Sequence, residues 1–179
     1  IIPVLNEEEN IRPLVEEITA AMSERSYEIL FVDDGSTDAT VEKILELKSS
    51  NPHIRILKLK RNFGKSTAMA AGFDAARGET SITMDGDLQD DPAEIPRFLA
   101  SRAEGNDIVC GWRSKRNDNI FKRWPSKIYN KMSRRIAGVK IHDMNCGFKA
   151  YDTELARSLN LYGDMHRYTP VLGKMNGAK

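Results

Sequence analysis

Short β-rich runs separated by stretches of helical spacing are the feature that most limits what this chain can become. Residues 1–4 read as a strand, and behind a cap at Asn10 the residues Ile11, Leu14, Val15, Ile18 and Met22 recur as one face of a helix. The run Glu28, Ile29, Leu30, Phe31 and Val32 stops abruptly at Asp33-Asp34-Gly35-Ser36, and Val41, Ile44, Leu45 and Lys48 are spaced for a second helix. Residues 54–59 alternate as a strand, residues 65–77 form an Ala-rich helix closed by Gly78, and residues 81–85 predict a fourth strand. This alternation predicts an α/β fold with a Rossmann-like, mostly parallel central sheet and helices on both faces. Right-handed crossovers put the loops after these strands on one sheet edge, so Asp33, Asp34, Asp85 and Asp87 are expected to converge there. Beyond residue 90 the pattern is less regular: a helix over 92–103, a strand at 107–112, a basic segment at 113–135 and a strand near 146–151.

At 179 residues the chain is long enough for one α/β domain and too short for two, so 1–179 is read as a single domain with halves at 1–90 and 91–179. Its 27 basic and 26 acidic side chains leave a net charge of +1, which gives no overall field for a polyanion; nucleic acid is not an expected partner, and charge must act through local clusters. Cys110 and Cys146 are too few for a disulfide framework and lack metal-ligand spacing, which favours a reducing, cytoplasmic compartment. No stretch approaches the roughly 18 apolar residues of a spanning helix. The chain opens without Met, as if inside a strand, and ends at Asn176-Gly177-Ala178-Lys179 with no closing element. The expectation is a domain cut at both ends, with a C-terminal membrane segment left open.

The sharpest local signal is Met84-Asp85-Gly86-Asp87-Leu88-Gln89. Two carboxylates flanking one glycine at a strand end can both face a divalent cation, and hard oxygen ligands suit Mg²⁺ or Mn²⁺. The competing reading is an acidic turn in which both carboxylates bond backbone amides. Asp91-Pro92-Ala93-Glu94 reads instead as a helix start with Asp91 as its cap. In Val32-Asp33-Asp34-Gly35-Ser36-Thr37-Asp38 the acids again end a strand, where a carboxylate can accept hydrogen bonds from a base or ribose; Ser36, Thr37 and Asp38 read as caps. Neither GxGxxG nor GxxxxGK[ST] occurs, so neither common phosphate cradle is present. Arg61-Asn62-Phe63-Gly64-Lys65 is the nearest glycine-bearing loop, opening a helix whose N-terminus could face an anion. His53, His142 and His166 have no metal-ligand spacing, Asp143 reads as a turn residue, and the cysteines read as small buried residues.

Taken in order, IIPVLNEEENI, VDDGSTDAT, RNFGKSTAMAAGF, MDGDLQDDP, GWR, NCGFKAYD and MHRYTP resemble the family 2 glycosyltransferases of GT-A fold. Within them the likeness is to polyprenyl-phosphate transferases of the dolichol-phosphate mannosyltransferase kind. The resemblance implies a nucleotide-sugar half at 1–90 and an acceptor half at 91–179. It implies that Pro3, Leu5 and Glu7 border the nucleotide and that Asp34 contacts base or ribose. It implies that Asp85, Asp87 and Gln89 bind Mg²⁺ or Mn²⁺, with Gly86 between them, and through the ion the diphosphate of a GDP-mannose or UDP-glucose type donor. Arg113 looks like the arginine that binds the acceptor phosphate, supported by Arg123, Ser126 and Lys127, with Lys149 and Arg167 as further phosphate contacts. Asp87 and Arg113 are thus the expected catalytic residues.

A charge argument agrees with that placement. A hydroxyl acceptor needs a general base, whereas a phosphate monoester is already anionic near neutral pH and attacks directly. Relatives that build polysaccharides carry an ED pair and QxxRW, and this sequence has neither. Arginine and lysine fill its later half instead, and guanidinium donors match phosphate oxygens in pairs. The basic segment has two further readings: a solvated helical face, or peripheral membrane contact through Ile120, Phe121 and Trp124 beside the charges. The expected reaction is transfer onto a polyprenyl-phosphate lipid at the cytoplasmic face of a membrane. The alternatives are transfer to a sugar hydroxyl, a non-catalytic nucleotide-sugar module, and a nucleotidyltransferase.

Overall fold

A computed structural model describes residues 1–112 and 143–179. Strands β1 (Ile2–Val4), β2 (Ile29–Asp33) and β3 (Ile54–Lys58) pair in parallel in that order, with Ile2 opposite Phe31 and Ile29 opposite Ile54. The helices α1 (Ile11–Ala21), α2 (Thr40–Ser50) and α3 (Lys65–Ala75) follow these strands as expected. β2 is buried along its whole length, which is why its sequence is a continuous apolar run rather than an alternating one. Asn10 stands at the helix-start position of α1 without capping through its side chain; its amide donates instead to Glu7 Oε2 at 2.7 Å.

The second sheet departs from the parallel pattern. β4 (Thr80–Thr83) and β5 (Ile108–Cys110) flank β6 (Lys149–Asp152), which runs antiparallel to both, with Lys149 opposite Thr83 on one side and Cys110 on the other. Apolar periodicity reports which residues face the core and not which way a strand runs, so this direction is not readable from it. The two sheets meet where the Ile1 nitrogen donates to the Ile82 carbonyl at 2.7 Å and Met84 N–H donates to the Ile1 carbonyl at 3.3 Å. The ends of β1, β2 and β4 therefore open on one side.

Residue-by-residue alternation distributes the helices over both faces. Ile2, Val4, Ile29, Phe31 and Ala150 pack against Leu14 and Ile18 of α1, Ile44 of α2, and Ile95 and Phe98 of α4 (Ile95–Ala103). Leu30 and Val32 face the other way, onto Ala68 of α3. Tyr151 meets Met69 and Phe73 of the same helix and Ala156 of α5 (Thr153–Ser158), edge-on to the Phe73 ring. Phe31 is fully buried, and truncating such a residue to Ala costs about 3–5 kcal/mol. A last helix, α6 (Thr169–Met175), follows a 3₁₀ turn at Met165–Tyr168. Ahead of α4, Asp91 caps the 3₁₀ turn Pro92–Glu94 by accepting Ala93 N–H at 2.9 Å.

Candidate active site

The loops after β1 and β2 are laced together before any ligand is considered. Asn6 N–H donates to Ser36 Oγ at 3.0 Å, and Asn6 Oδ1 accepts Thr37 N–H at 2.8 Å. Glu7 N–H donates to Thr40 Oγ1 at 2.8 Å, while Glu8 accepts Ala39 N–H at 2.9 Å. Asp38 accepts both Thr40 N–H and the Thr40 hydroxyl, but Ala39 holds the cap position of α2 and no side chain caps it, while Ser36 and Thr37 bond the neighbouring loop, so the capping expectation for these three residues is not met. Asn6 itself is held at φ +56, a left-handed conformation that asparagine tolerates better than most residues. Gly35 lies at φ +86, where a Cβ would stand 2.7 Å from Asn62 N, so the turn after the two acids admits only glycine.

Asp33 and Asp34 divide the work at the end of β2. Asp33 is fully buried and Oδ1 accepts Ser36 N–H at 3.1 Å. Asp34 takes Phe63 N–H at 2.7 Å on one carboxylate oxygen and Gly64 N–H at 2.9 Å on the other. It thereby fixes the loop that opens α3, a tie that sequence reasoning did not find because the partners lie some 30 residues apart.

The loop after β4 completes the crevice. Pro3, Leu5, Glu7, Asp34, Asp85, Gly86 and Asp87 line one cavity of about 310 Å³, together with Val4, Asn62, Gly64 and Lys65. Seven sequence-expected residues thus meet in one place. Gln89 is exposed and does not line it; its backbone N–H donates to Asp87 Oδ1 at 3.2 Å, and Leu88 between them sits at φ +59. A strained, left-handed leucine at a loop tip is the kind of backbone cost that persists where surrounding structure over-determines it. Asp85 N–H donates to the buried Asp90 carboxylate at 3.3 Å. The Asp85 carboxylate lies against Gly147, where a Cβ would come within 2.4 Å of Oδ1. Gly147 is tied in turn to β4, its carbonyl accepting the Thr83 hydroxyl at 2.7 Å.

A second cavity of about 400 Å³ adjoins the first and shares Lys65 and Asp85 with it; Lys149, His166 and Arg167 are among its other walls. The Lys65 ammonium forms an ion pair with Asp85 at this junction. Lys149 is buried, donates to the Cys146 carbonyl at 2.5 Å, and has its pKa lowered, first by loss of hydration. His166 accepts no charge easily: burial, then Lys65 and Arg167, pull its pKa down to about 4. Its backbone N–H donates to Ser66 Oγ at 3.0 Å and its ring Nδ1 lies 3.0 Å from the same hydroxyl. Lys65 and His166 are the wall residues that sequence reasoning underrated. Both lie in runs that carry the family resemblance, RNFGKSTAMAAGF and MHRYTP, but the bond of His166 to Ser66 spans 100 residues and has no local pattern.

Arg113, Arg123, Ser126 and Lys127 lie outside the described residues, as do Ile120, Phe121, Trp124 and His142. The turn reading of Asp143 is seen in its acceptance of Asn145 N–H at 3.1 Å. Cys146 is buried, and burial pushes the Cys110 thiol up to about 11, so neither is an activated nucleophile.

Among the described residues, no group of three or more His, Cys, Asp and Glu side chains is gathered around a cation position. A divalent ion would instead rest on Asp85 and Asp87, with water and substrate oxygens completing its shell, as suits Mg²⁺ or Mn²⁺. The residues fit that demand. Asp85 already carries an ammonium, so the position accepts positive charge at a carboxylate that opens on both cavities.

Comparison with solved structures gives the class of fold. The chain superposes on a mannosyltransferase from Pyrobaculum calidifontis, solved with GDP-Man and Mn²⁺, with a TM-score of 0.73 at 18% identity, covering 99% of this chain and 52% of that one. It also superposes on glucosyl-3-phosphoglycerate synthase from Mycobacterium tuberculosis in complex with UDP, with a TM-score of 0.69 at 21% identity over 86% of this chain and 56% of that one. The fold is that of the GT-A glycosyltransferases.

Residues 1–159 match the family model described as glycosyl transferase family 2, and the chain belongs to that family. It is 42% identical over 176 residues to dodecaprenyl-phosphate galacturonate synthase of Rhizobium johnstonii, covering 96% of this chain and 52% of the relative. It is 36% identical over 176 residues to undecaprenyl-phosphate 4-deoxy-4-formamido-L-arabinose transferase of Pseudomonas aeruginosa, with the same two coverages. The chain spans about half the length of the curated relatives it matches. No helix among the described residues is long and apolar enough to cross a membrane.

Proposed function

We propose that this chain is the catalytic domain of an inverting glycosyltransferase that moves a sugar from a nucleoside diphosphate onto a polyprenyl phosphate at the cytoplasmic face of a membrane. The observation that carries the reading is the pair of adjoining cavities, one lined by Asp34, Asp85 and Asp87 and the other by Lys149 and Arg167. The names of the relatives, both transferases or synthases of polyprenyl-phosphate sugars, support the acceptor class. The solved neighbours, which hold GDP-Man or UDP, support a donor of the GDP-mannose or UDP-glucose type.

In this reading Pro3, Leu5, Glu7 and Asp34 border the nucleotide and Asp85 and Asp87 form the metal and diphosphate end, with Gln89, outside the cavity, holding Asp87 Oδ1 through its backbone N–H. A Mg²⁺ or Mn²⁺ bound there supplies neutralisation of the charge that gathers on the departing diphosphate. Lys149 and Arg167, with Arg113, Arg123, Ser126 and Lys127 from the segment outside the described residues, hold the acceptor phosphate. An acceptor phosphate oxygen forms its bond to the anomeric carbon as the bond to the diphosphate oxygen breaks. The electron pair leaves with the nucleoside diphosphate, and configuration inverts. No proton has to be removed from the nucleophile, which accords with a second cavity whose imidazole stays neutral and whose one carboxylate, Asp85, is paired with Lys65 beside the cations Lys149 and Arg167. Alignment of the two substrates and fixed charge supply the acceleration.

The test is transfer from a panel of labelled nucleotide sugars to polyprenyl phosphate in detergent, with free polyprenol and a glycan bearing only hydroxyls as alternative acceptors. Label should pass to the phosphorylated lipid alone, with release of nucleoside diphosphate. Transfer to a sugar hydroxyl and none to polyprenyl phosphate would contradict the proposal.

A further inference from the structure

Lys65 is built into the junction of the two cavities in a way that the transfer reaction, as derived above, does not use. It is the first residue of α3, directly after Gly64, whose N–H is held by Asp34 at 2.9 Å. The backbone from which its side chain departs is therefore pinned to the donor loop. The next residue, Ser66, is buried and bonded to both the backbone and the ring of His166. The long side chain of Lys65 is about one-third exposed, with Nζ paired to Asp85 Oδ1. Lys65 lines both cavities, as does Asp85.

Two kinds of charge compete for this position. On the donor side, a divalent ion resting on Asp85 and Asp87 would meet the Lys65 ammonium at like charge, and the two cannot share Asp85 closely without cost. On the other side, Lys149 and Arg167 wall a space that favours an anion, and an ammonium released from Asp85 is within reach of it. Because Lys65 lines both cavities, rotation of its side chain alone would exchange one partner for the other.

We propose that Lys65 is an exchangeable counter-ion of the metal position: it neutralises Asp85 while no divalent ion is bound, and on metal arrival it turns to a phosphate oxygen at the junction of the cavities. The inference rests on the proposed metal site at Asp85 and Asp87. Its consequence is coupling. Metal binding frees a cation for phosphate, and phosphate, by holding that cation, strengthens metal binding, the two effects being equal by linkage.

The experiment titrates Mn²⁺ alone, with free Mn²⁺ followed by its electron paramagnetic resonance signal, into the wild-type protein, K65Q, K65R and D87A. K65Q should bind Mn²⁺ about three- to tenfold more tightly than wild type, the gain expected from removing one partly exposed competing charge, and K65R should stay near wild type. D87A should lose binding. Unchanged or weaker Mn²⁺ binding in a folded K65Q protein, with D87A still defective, overturns the role of Lys65 and leaves the metal site standing. Absence of Mn²⁺ binding in every protein overturns both. A second arm measures UDP, GDP and geranyl phosphate binding with Mn²⁺ present. K65Q should weaken one class: the nucleotides if Lys65 turns to the diphosphate, geranyl phosphate if it turns to the acceptor. Undiminished affinity for both classes would overturn the second half of the exchange.

Discussion

Gly147 lies so close to Asp85 that a Cβ added to it would stand 2.4 Å from Oδ1 and 2.8 Å from both Cγ and Oδ2. The loop carrying Gly147 and the end of β4 are thereby packed as one unit, and the direction of the Asp85 carboxylate depends on a missing side chain.

Gly147→Ala should therefore act on chemistry before it acts on folding. The methyl group must push the Asp85 carboxylate aside or displace the loop, and overpacking of this kind costs about 1–3 kcal/mol. Thermal unfolding should show a folded protein with a modestly lowered midpoint, while Mn²⁺ affinity and turnover fall by an order of magnitude or more. Wild-type Mn²⁺ affinity in this variant would show that the aim of Asp85 does not matter.

Asp34→Asn probes the tie between β2 and the loop that opens α3. An aspartate accepts both Phe63 N–H and Gly64 N–H, whereas an asparagine amide offers one acceptor and sets its NH₂ against the other donor. The expected loss is about 1–3 kcal/mol of stability, read from urea denaturation, with weaker nucleotide binding because the Gly64–Lys65 wall loosens.

The neutral His166 imposes a pH dependence whose sign is fixed by the depression of its pKa to about 4 from 6.5. Between those values the unfolded chain holds a proton that the folded protein does not, so stability at this site is complete above about pH 6.5 and is lost as pH falls toward 4. The urea midpoint should drop through that window, and His166→Gln should flatten the part due to this residue. Proton NMR of the imidazole should show no protonation of His166 until the pH approaches 4.

Much of this architecture was legible from periodicity because the physics is local. The apolar run at residues 29–32, with the acids after it, marks a strand buried on both faces, and the spacing of Ile11, Leu14, Val15 and Ile18 marks the helix that covers one of them. Of the four acids expected to converge from strand order and right-handed crossovers, Asp34, Asp85 and Asp87 line one cavity, while Asp33 is buried and does not. The antiparallel course of β6 did not follow, since Lys149, Ala150 and Tyr151 alternate identically in either direction. Nor did the Lys65–Asp85 pair or the Ser66–His166 contact, which depend on elements 20 and 100 residues apart. Asp34 read as a ligand group, and its double bond to the Phe63–Gly64 backbone is a tertiary fact with no local pattern.

The central claim is that the crevice at the ends of β1, β2 and β4 holds a nucleoside diphosphate through a divalent ion on Asp85 and Asp87. Calorimetric titration of UDP, GDP, ADP and CDP into the protein, with Mn²⁺ and again with chelator, tests it most directly. The account predicts binding selective for UDP or GDP that requires Mn²⁺ and is lost in Asp87→Ala while the fold survives. Equal affinity with chelator, or undiminished affinity in Asp87→Ala, would contradict it.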